Sequence, residues 1–300
     1  MKLTFLGTAA AEMYPAPFCQ CPHCTQARKE GGKNIRANSA ALIDDDILLD
    51  MNVTSHYVAA RLGISLAGVR HLLVTHPHTD HFEPDRLRWR RTTAKGVPPF
   101  DPAAGLWSAR FTETPEMTIH GNAYVRERLD GVILPEVKAT AEYDFHFELI
   151  EEGKWQDCGD FAFLPLRSNH GKQEGMAHTY LIRRGGKTLF YCTDCGGFDP
   201  DQLDILARQK IDLVVMEGTF GLGAYANEDA PLPTGKGHMN LKKNEVLRAF
   251  LLDHGCITPD TPCILTHLCP HYTPPHAQFE KIARQSGFGV AYDGLEIMIE

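Results

Sequence analysis

Thr75-His76-Pro77-His78-Thr79-Asp80-His81 crowds three histidines and one aspartate into a short polar stretch. It follows Leu72-Leu73-Val74, an apolar run that reads as a buried strand ending at a loop. Imidazole and carboxylate together suit first-row metals such as Zn, Mn or Fe. One ion cannot easily use all four donors and keep positions open for a substrate, whereas two adjacent ions can. The stretch therefore points to a metal site built at a strand end.

The same pattern recurs downstream. Phe163-Leu164-Pro165-Leu166 runs into Arg167-Ser168-Asn169-His170, Thr188-Leu189-Phe190-Tyr191 runs into Cys192-Thr193-Asp194, and Pro262-Cys263-Ile264-Leu265-Thr266 runs into His267. Together these complete a seven-donor set. His76, His78 and His170 are expected to hold one ion, Asp80, His81 and His267 the other, with Asp194 between them.

The rest of the chain bounds the setting. At 300 residues, 43% hydrophobic and 23% charged, it has the composition of a globular protein with a sizeable core. A formal net charge of −8 argues against a nucleic-acid or membrane partner. Met1 to Ala10 reads as a first strand ending at Gly7-Thr8 rather than a signal peptide. No run approaches the roughly 18 apolar residues of a membrane helix, so a cytoplasmic location is expected. Nine cysteines, three of them at Cys19, Cys21 and Cys24, favour metal over disulfides in such a chain.

Strand-like and helix-like segments alternate throughout, as expected of one α/β domain over residues 1–300 with helices covering stacked sheets. Helices are expected over Val53–Leu62, Asp85–Arg91, Asp201–Gln209, Leu241–Asp253 and Pro274–Ser286. An irregular insertion is expected at about 92–116. A second loop, from Gly218 to Gly237, leads into His238 and has the makings of an active-site wall.

At this point the chain resembles the metallo-β-lactamase superfamily, whose His-x-His-x-Asp-His motif is followed by later His, Asp and His ligands. The resemblance implies a four-layer αββα sandwich with the site along one edge of the sheets. It also implies that Asp50, closing Ile47-Leu48-Leu49, orients ligands near the ions. Cys19-Gln20-Cys21-Pro22-His23-Cys24 offers three thiolates, most of a tetrahedral structural zinc site. That loop is similar to one in the PhnP-like phosphodiesterases and the related PqqB group, where a later His completes the site. His271 is the expected fourth ligand here, with Cys269 as its rival. Leu87-Arg88-Trp89 and Tyr292-Asp293-Gly294 also resemble the PhnP-like branch. Gly237-His238-Met239-Asn240-Leu241 resembles the segment carrying its non-ligand active-site His, although Asn240 stands where that branch has Asp.

The resemblance implies hydrolysis of a small cyclic phosphodiester such as 5-phosphoribosyl 1,2-cyclic phosphate, with Asp80 and His238 as catalytic residues. The expected cofactors are two divalent ions, Zn or Mn with Fe allowed, and one structural Zn. The expected partner is a small phosphorylated substrate, with a homodimer allowed. Arg88 and Lys236 are candidates for a remote phosphate. The alternatives are a PqqB-like iron-dependent oxygenase and an RNA-processing nuclease of the same superfamily. Cys192-Thr193-Asp194-Cys195 reads as a ligand flanked by small residues rather than a redox pair. His23, His56, His71, His120, His146, His178, His254 and His276 have no assigned role, although His178 is placed near the cavity.

Overall fold

Alternation along the strands explains the layering. In Ala177–Arg184, Tyr180 and Ile182 join one buried cluster while Leu181 joins another. In Leu213–Glu217, Leu213 and Val215 separate in the same way from Val214 and Met216. Successive side chains of a strand point to opposite faces, so a strand buried on both sides reads as a continuous apolar run. The computed structural model describes residues 1–90, 100–101, 106–107, 114–137, 145–223 and 237–300.

Two seven-stranded sheets result. The first runs in the order Glu296–Met298, Lys2–Gly7, Ala40–Ile43, Ile47–Leu49, His71–Leu73, Met117–Gly121, Phe145–Leu149. The second runs Gly289–Val290, Cys263–Thr266, Leu213–Glu217, Lys187–Cys192, Ala177–Arg184, Phe161–Ser168, Gln156–Asp157. Leu3, Phe5, Ile43 and Leu73 of the first meet Phe163, Tyr180, Tyr191 and Val215 of the second in a shared core. On the outer face of the first sheet, Leu42, Leu72 and Ile119 pack with Ala59, Val125 and Leu129 from the helices Val53–Arg61 and Ala123–Val137. On the outer face of the second, Phe190, Val214 and Leu265 pack with Leu206, Leu247, Leu251 and Phe279 from the helices Pro200–Leu206, Leu241–Asp253 and His276–Gln285. Helices, sheet, sheet and helices form the expected four-layer αββα sandwich.

Each sheet has a parallel half: Ile47–Leu49 through Phe145–Leu149 in the first, Lys187–Cys192 through Gly289–Val290 in the second. Loops at the carboxyl ends of parallel strands are the usual place for ligands in α/β folds. Asp50 and His267 follow such ends directly, and Asp194 and His76 lie within a few residues of theirs. Two backbone-directed bonds register the sheets there: Tyr180 Oη donates to Val74 O at 2.6 Å, and His178 N donates to Thr75 O at 3.0 Å.

Three local expectations change. The segment expected as a helix over Asp85–Arg91 is a 3₁₀ turn at Pro84–Trp89, because Pro84 sets its start and so short a run gains little from α-helical bonding. The cysteine segment is loop only to Cys21, which caps a helix at Pro22–Glu30 and accepts from Cys24 N at 3.5 Å. The helix Ala123–Val137 was not expected; Asn122 caps it, accepting from Val125 N at 3.0 Å. Within the expected 92–116 insertion, Phe100–Asp101 pairs antiparallel with Leu106–Trp107. Most of the remainder lies outside the described residues, as do Arg91 and Lys236. Among the described residues no helix is long and apolar enough to cross a membrane.

Candidate metal centre

The seven strand-end residues converge into two donor groups that share Asp194. His76, His78, His170 and Asp194 form one, and Asp80, His81, His267 and Asp194 the other, with the ligand atoms of each within 4.8 Å of one another. In the first, His78 Nδ1 lies 2.9 Å from His76 Nε2 and 3.3 Å from His170 Nε2. Asp194 Oδ2 is 3.3 Å from His76 Nε2 and 3.5 Å from His170 Nε2. In the second, His81 Nε2 lies 3.1 Å from His267 Nε2, 3.4 Å from Asp80 Oδ2 and 3.1 Å from Asp194 Oδ2.

Hydrogen bonds behind the rings decide which nitrogen faces inward. His81 Nδ1 bonds to Asp50 Oδ2 at 2.7 Å, and His170 Nδ1 to Gly237 O at 2.9 Å. His76 Nδ1 bonds to Thr75 Oγ1 at 3.0 Å, and His267 Nδ1 to Thr219 Oγ1 at 2.8 Å. A neutral imidazole carries one N–H, so these acceptors leave the Nε2 lone pairs pointing at the shared space. Asp50, the residue expected to orient ligands, bonds to His81 Nδ1. It is fully buried and accepts from Thr75 N, Thr75 Oγ1 and His81 Nδ1 at 2.7–3.0 Å.

The backbone is strained around these groups. Asp50, Asp194 and His267 have φ of 58°, 46° and 55°, in the left-handed region that non-glycine residues adopt at some cost. All three sit where a strand turns sharply to aim a side chain at the centre.

The donor set fits divalent ions. A tetrahedral ion with metal–nitrogen bonds of about 2.0–2.1 Å needs ligand atoms about 3.3 Å apart, which these separations match. Asp194 Oδ1 is buried without a hydrogen bond, although His267 Nδ1 is only 3.0 Å away. Burial and then the neighbouring His81 push His76 well below the usual histidine range, leaving it neutral and able to donate a lone pair. Burial works against the charge on Asp80, but His81 and His267 outweigh it and hold the carboxyl well below its usual range. A site that holds Asp80 and the buried Asp194 among five imidazoles calls for cationic charge.

One further residue, not singled out in the sequence, enters the site. Glu217 closes the strand Leu213–Glu217, is fully buried and belongs to a donor group with Asp194, His238 and His267. Its Oε1 accepts from the backbone of Cys195 and Gly196 at 2.7 and 3.0 Å. Its Oε2 accepts from His238 Nδ1 at 2.8 Å and from Thr219 Oγ1 at 2.5 Å. Burial disfavours the charged form of His238, but Glu217 and then Asp194 overcome it and raise the ring to about 11. Asn240 instead caps the helix Leu241–Asp253, accepting from Lys243 N at 3.0 Å. Phe220 and His238 pack in a T-shape with centroids 5.4 Å apart, and Tyr272 packs on Phe220 with centroids 5.1 Å apart.

The other candidates fall as follows. Cys19, Cys21 and His271 bring donors within 4.8 Å of one another, with Cys19 Sγ 3.8 Å from His271 Nδ1. Cys24 is buried and interacts with the other two thiols but lies outside that trio, and Cys269 is in none of the donor groups found among the described residues. Arg88 Nε pairs with Asp85 at 2.7 Å. His178 is buried against Asn122 and Glu152, outside both donor groups. Cys192 and Cys195 are fully buried on either side of Asp194.

Residues 49–252, more than half of the chain, match the β-lactamase superfamily domain, and the chain belongs to that superfamily. Its metallo-β-lactamase-fold members are generally metal-dependent hydrolases. Among solved structures, a diphosphatase of the PhnP family aligns over 100% of this chain and 98% of its own, with a TM-score of 0.69 and 18% identity. Zn(2+)-bound PqqB from Methylobacterium extorquens aligns over 99% and 100%, with a TM-score of 0.67 and 16% identity. The short form of human tRNase Z aligns over 100% of each chain, with a TM-score of 0.63 and 18% identity. At these identities the likeness concerns the fold. No curated protein sequence matches the chain.

Proposed function

We propose that this chain is a dinuclear metal-dependent phosphodiesterase acting on a small cyclic phosphodiester, with 5-phosphoribosyl 1,2-cyclic phosphate as the model substrate. His76, His78 and His170 would hold one ion and Asp80, His81 and His267 the other, with Asp194 common to both donor groups. Two such ions would supply a hydroxide nucleophile at neutral pH and neutralise charge on the phosphoryl oxygens.

The observation that carries the reading is the Glu217–His238 pair beside Asp194 and His267. Ring opening of a cyclic phosphodiester expels an alkoxide that needs a proton. His238 holds Nδ1 on Glu217, whose carboxylate favours the charged ring, which leaves Nε2 as the candidate proton donor. General acid catalysis of this kind is worth roughly 10²–10⁴ in rate. The similarity to a PhnP-family diphosphatase supports phosphoryl chemistry. Cys19, Cys21, Cys24 and His271 are proposed to hold a structural zinc apart from the reaction; the convergence of Cys19, Cys21 and His271 supports it.

The test is turnover of bis(p-nitrophenyl) phosphate and cyclic ribose phosphates by protein loaded with Zn or Mn. Hydrolysis abolished by chelation and restored by either ion supports the proposal. Absence of hydrolysis with every divalent ion, together with oxygen consumption on iron loading, would overturn it in favour of a PqqB-like oxygenase.

A further inference from the structure

A second kind of donor cluster lies away from this centre. His71 opens the strand whose far end leads to His76, five residues or about 16 Å along an extended chain. His120 projects from the neighbouring parallel strand onto the same face, since His71 is in register with Thr118 and Leu73 with His120. His71 Nδ1 lies 3.2 Å from His120 Nε2. Cys158 comes from the other sheet, in the turn between Gln156–Asp157 and Phe161–Ser168, where its N–H donates to Phe161 O at 2.9 Å. The donor atoms of all three lie within 4.8 Å of one another.

The surroundings suit a cation. His120 is 2% exposed, and the two rings rest against Phe161 and Phe163 with centroids 4.8 and 4.9 Å apart. Placing a buried His120 and a half-buried His71 on apolar rings is costly unless their polar atoms are used. Burial, then each other's proximity and His146, lowers His120 to about 3, and burial also lowers His71, so both are neutral and offer lone pairs. The 3.2 Å separation is close to the tetrahedral edge of about 3.3 Å expected for zinc bonded to two nitrogens. On the far side of His120, Glu148 Oε2 lies 3.7 Å from Nδ1, and its charge favours a cation beside His71. Asp46 and Asp160 add negative charge, although both are paired with Arg184.

We propose that His71, His120 and Cys158 form a zinc site, with water in the fourth position, that cross-links the two sheets at the end of the His71 strand remote from the dinuclear centre. Two imidazoles and one thiolate are a donor set that zinc accepts. On binding, the Cys158 thiol transfers its proton to solvent and the resulting thiolate takes the ion, so one proton is released per zinc.

The experiment compares full-length wild type with Cys158→Ser and His71→Asn, loaded with excess zinc and desalted. The wild type is expected to retain one zinc more per chain than either variant, with hydrolysis of bis(p-nitrophenyl) phosphate unchanged within twofold. Cobalt-loaded wild type minus cobalt-loaded Cys158→Ser is expected to leave a thiolate-to-cobalt charge-transfer band, which removes the contribution of the other cysteines. In the wild type alone, zinc but not magnesium is expected to slow alkylation of Cys158 at least tenfold, a readout that does not depend on how the variants fold. Equal zinc retention with unprotected Cys158 overturns the proposal and leaves a plain His71–His120 hydrogen bond. Because none of these residues belongs to the dinuclear centre, this outcome is independent of whether the chain hydrolyses phosphodiesters.

Discussion

Glu217 accepts a 2.8 Å hydrogen bond from His238 Nδ1 while its other oxygen is held by two backbone N–H groups. The carboxylate is thereby fixed in place, and it fixes the charge and the tilt of the ring. Glu217→Gln is expected to lower kcat roughly 10–100-fold with metal content near wild type, a loss smaller than the roughly 10²–10⁴ expected for His238→Ala. The double variant is expected to be no slower than His238→Ala, because residues acting as one unit are not additive. Steady-state kinetics with metal analysis checks all three; loss of metal from His238→Ala would make it a ligand instead.

Asp50 acts through His81 and Thr75. Asp50→Ala removes the acceptor that sets the His81 tautomer and is expected to weaken the ion on the Asp80–His81–His267 side by about 10–100-fold. Competition with a chelator measures this. Unchanged metal affinity would show that the strand end positions His81 without the carboxylate.

The buried, neutral His120 predicts acid sensitivity. Its folded-state pKa of about 3 lies below the ordinary histidine value of 6.5, through burial first and then His71 and His146. The unfolded chain therefore binds the proton more readily, and stability falls as pH drops from about 6.5 toward 3. His276, lowered to about 4 by burial and then Arg36, acts in the same direction. In chelated protein, His120→Gln is expected to flatten the slope of Tm against pH over this window. Parallel wild-type and variant slopes would contradict the assignment.

The zinc site proposed at the cysteines is expected to be separable from the reaction. Cys21→Ser is expected to lose one tightly held zinc and lower Tm, while mild chelation of the wild type empties the dinuclear centre first. An unaltered zinc count and Tm in this variant would remove the structural-zinc assignment.

Much of this centre was legible because a strand ending in a ligand leaves a sharp trace: an apolar run, then one His or Asp. His170, Asp194 and His267 each carry it, and the structure brings them together with the His76–His81 segment. Glu217 carries the same trace, as the last residue of Leu213-Val214-Val215-Met216-Glu217. No histidine neighbours it in sequence, and the resemblance points instead to Asn240, which is a helix cap. The helix Pro22–Glu30 buries only Cys24 and Ala27, too few apolar positions to show a helical period. Its signal was Pro22 at the first turn behind a capping residue. The pairing of His71 and His120 with Cys158 depends on two sheets meeting, which no local pattern encodes.

The left-handed conformations of Asp50, Asp194 and His267 set stability and activity against each other. Glycine at any of these positions would relieve backbone strain of roughly 1–3 kcal/mol while deleting a group the centre needs. A library selected for thermal endurance alone is therefore expected to drift toward inert, sturdier sandwiches. Only a screen that also demands turnover would keep those three corners as they are.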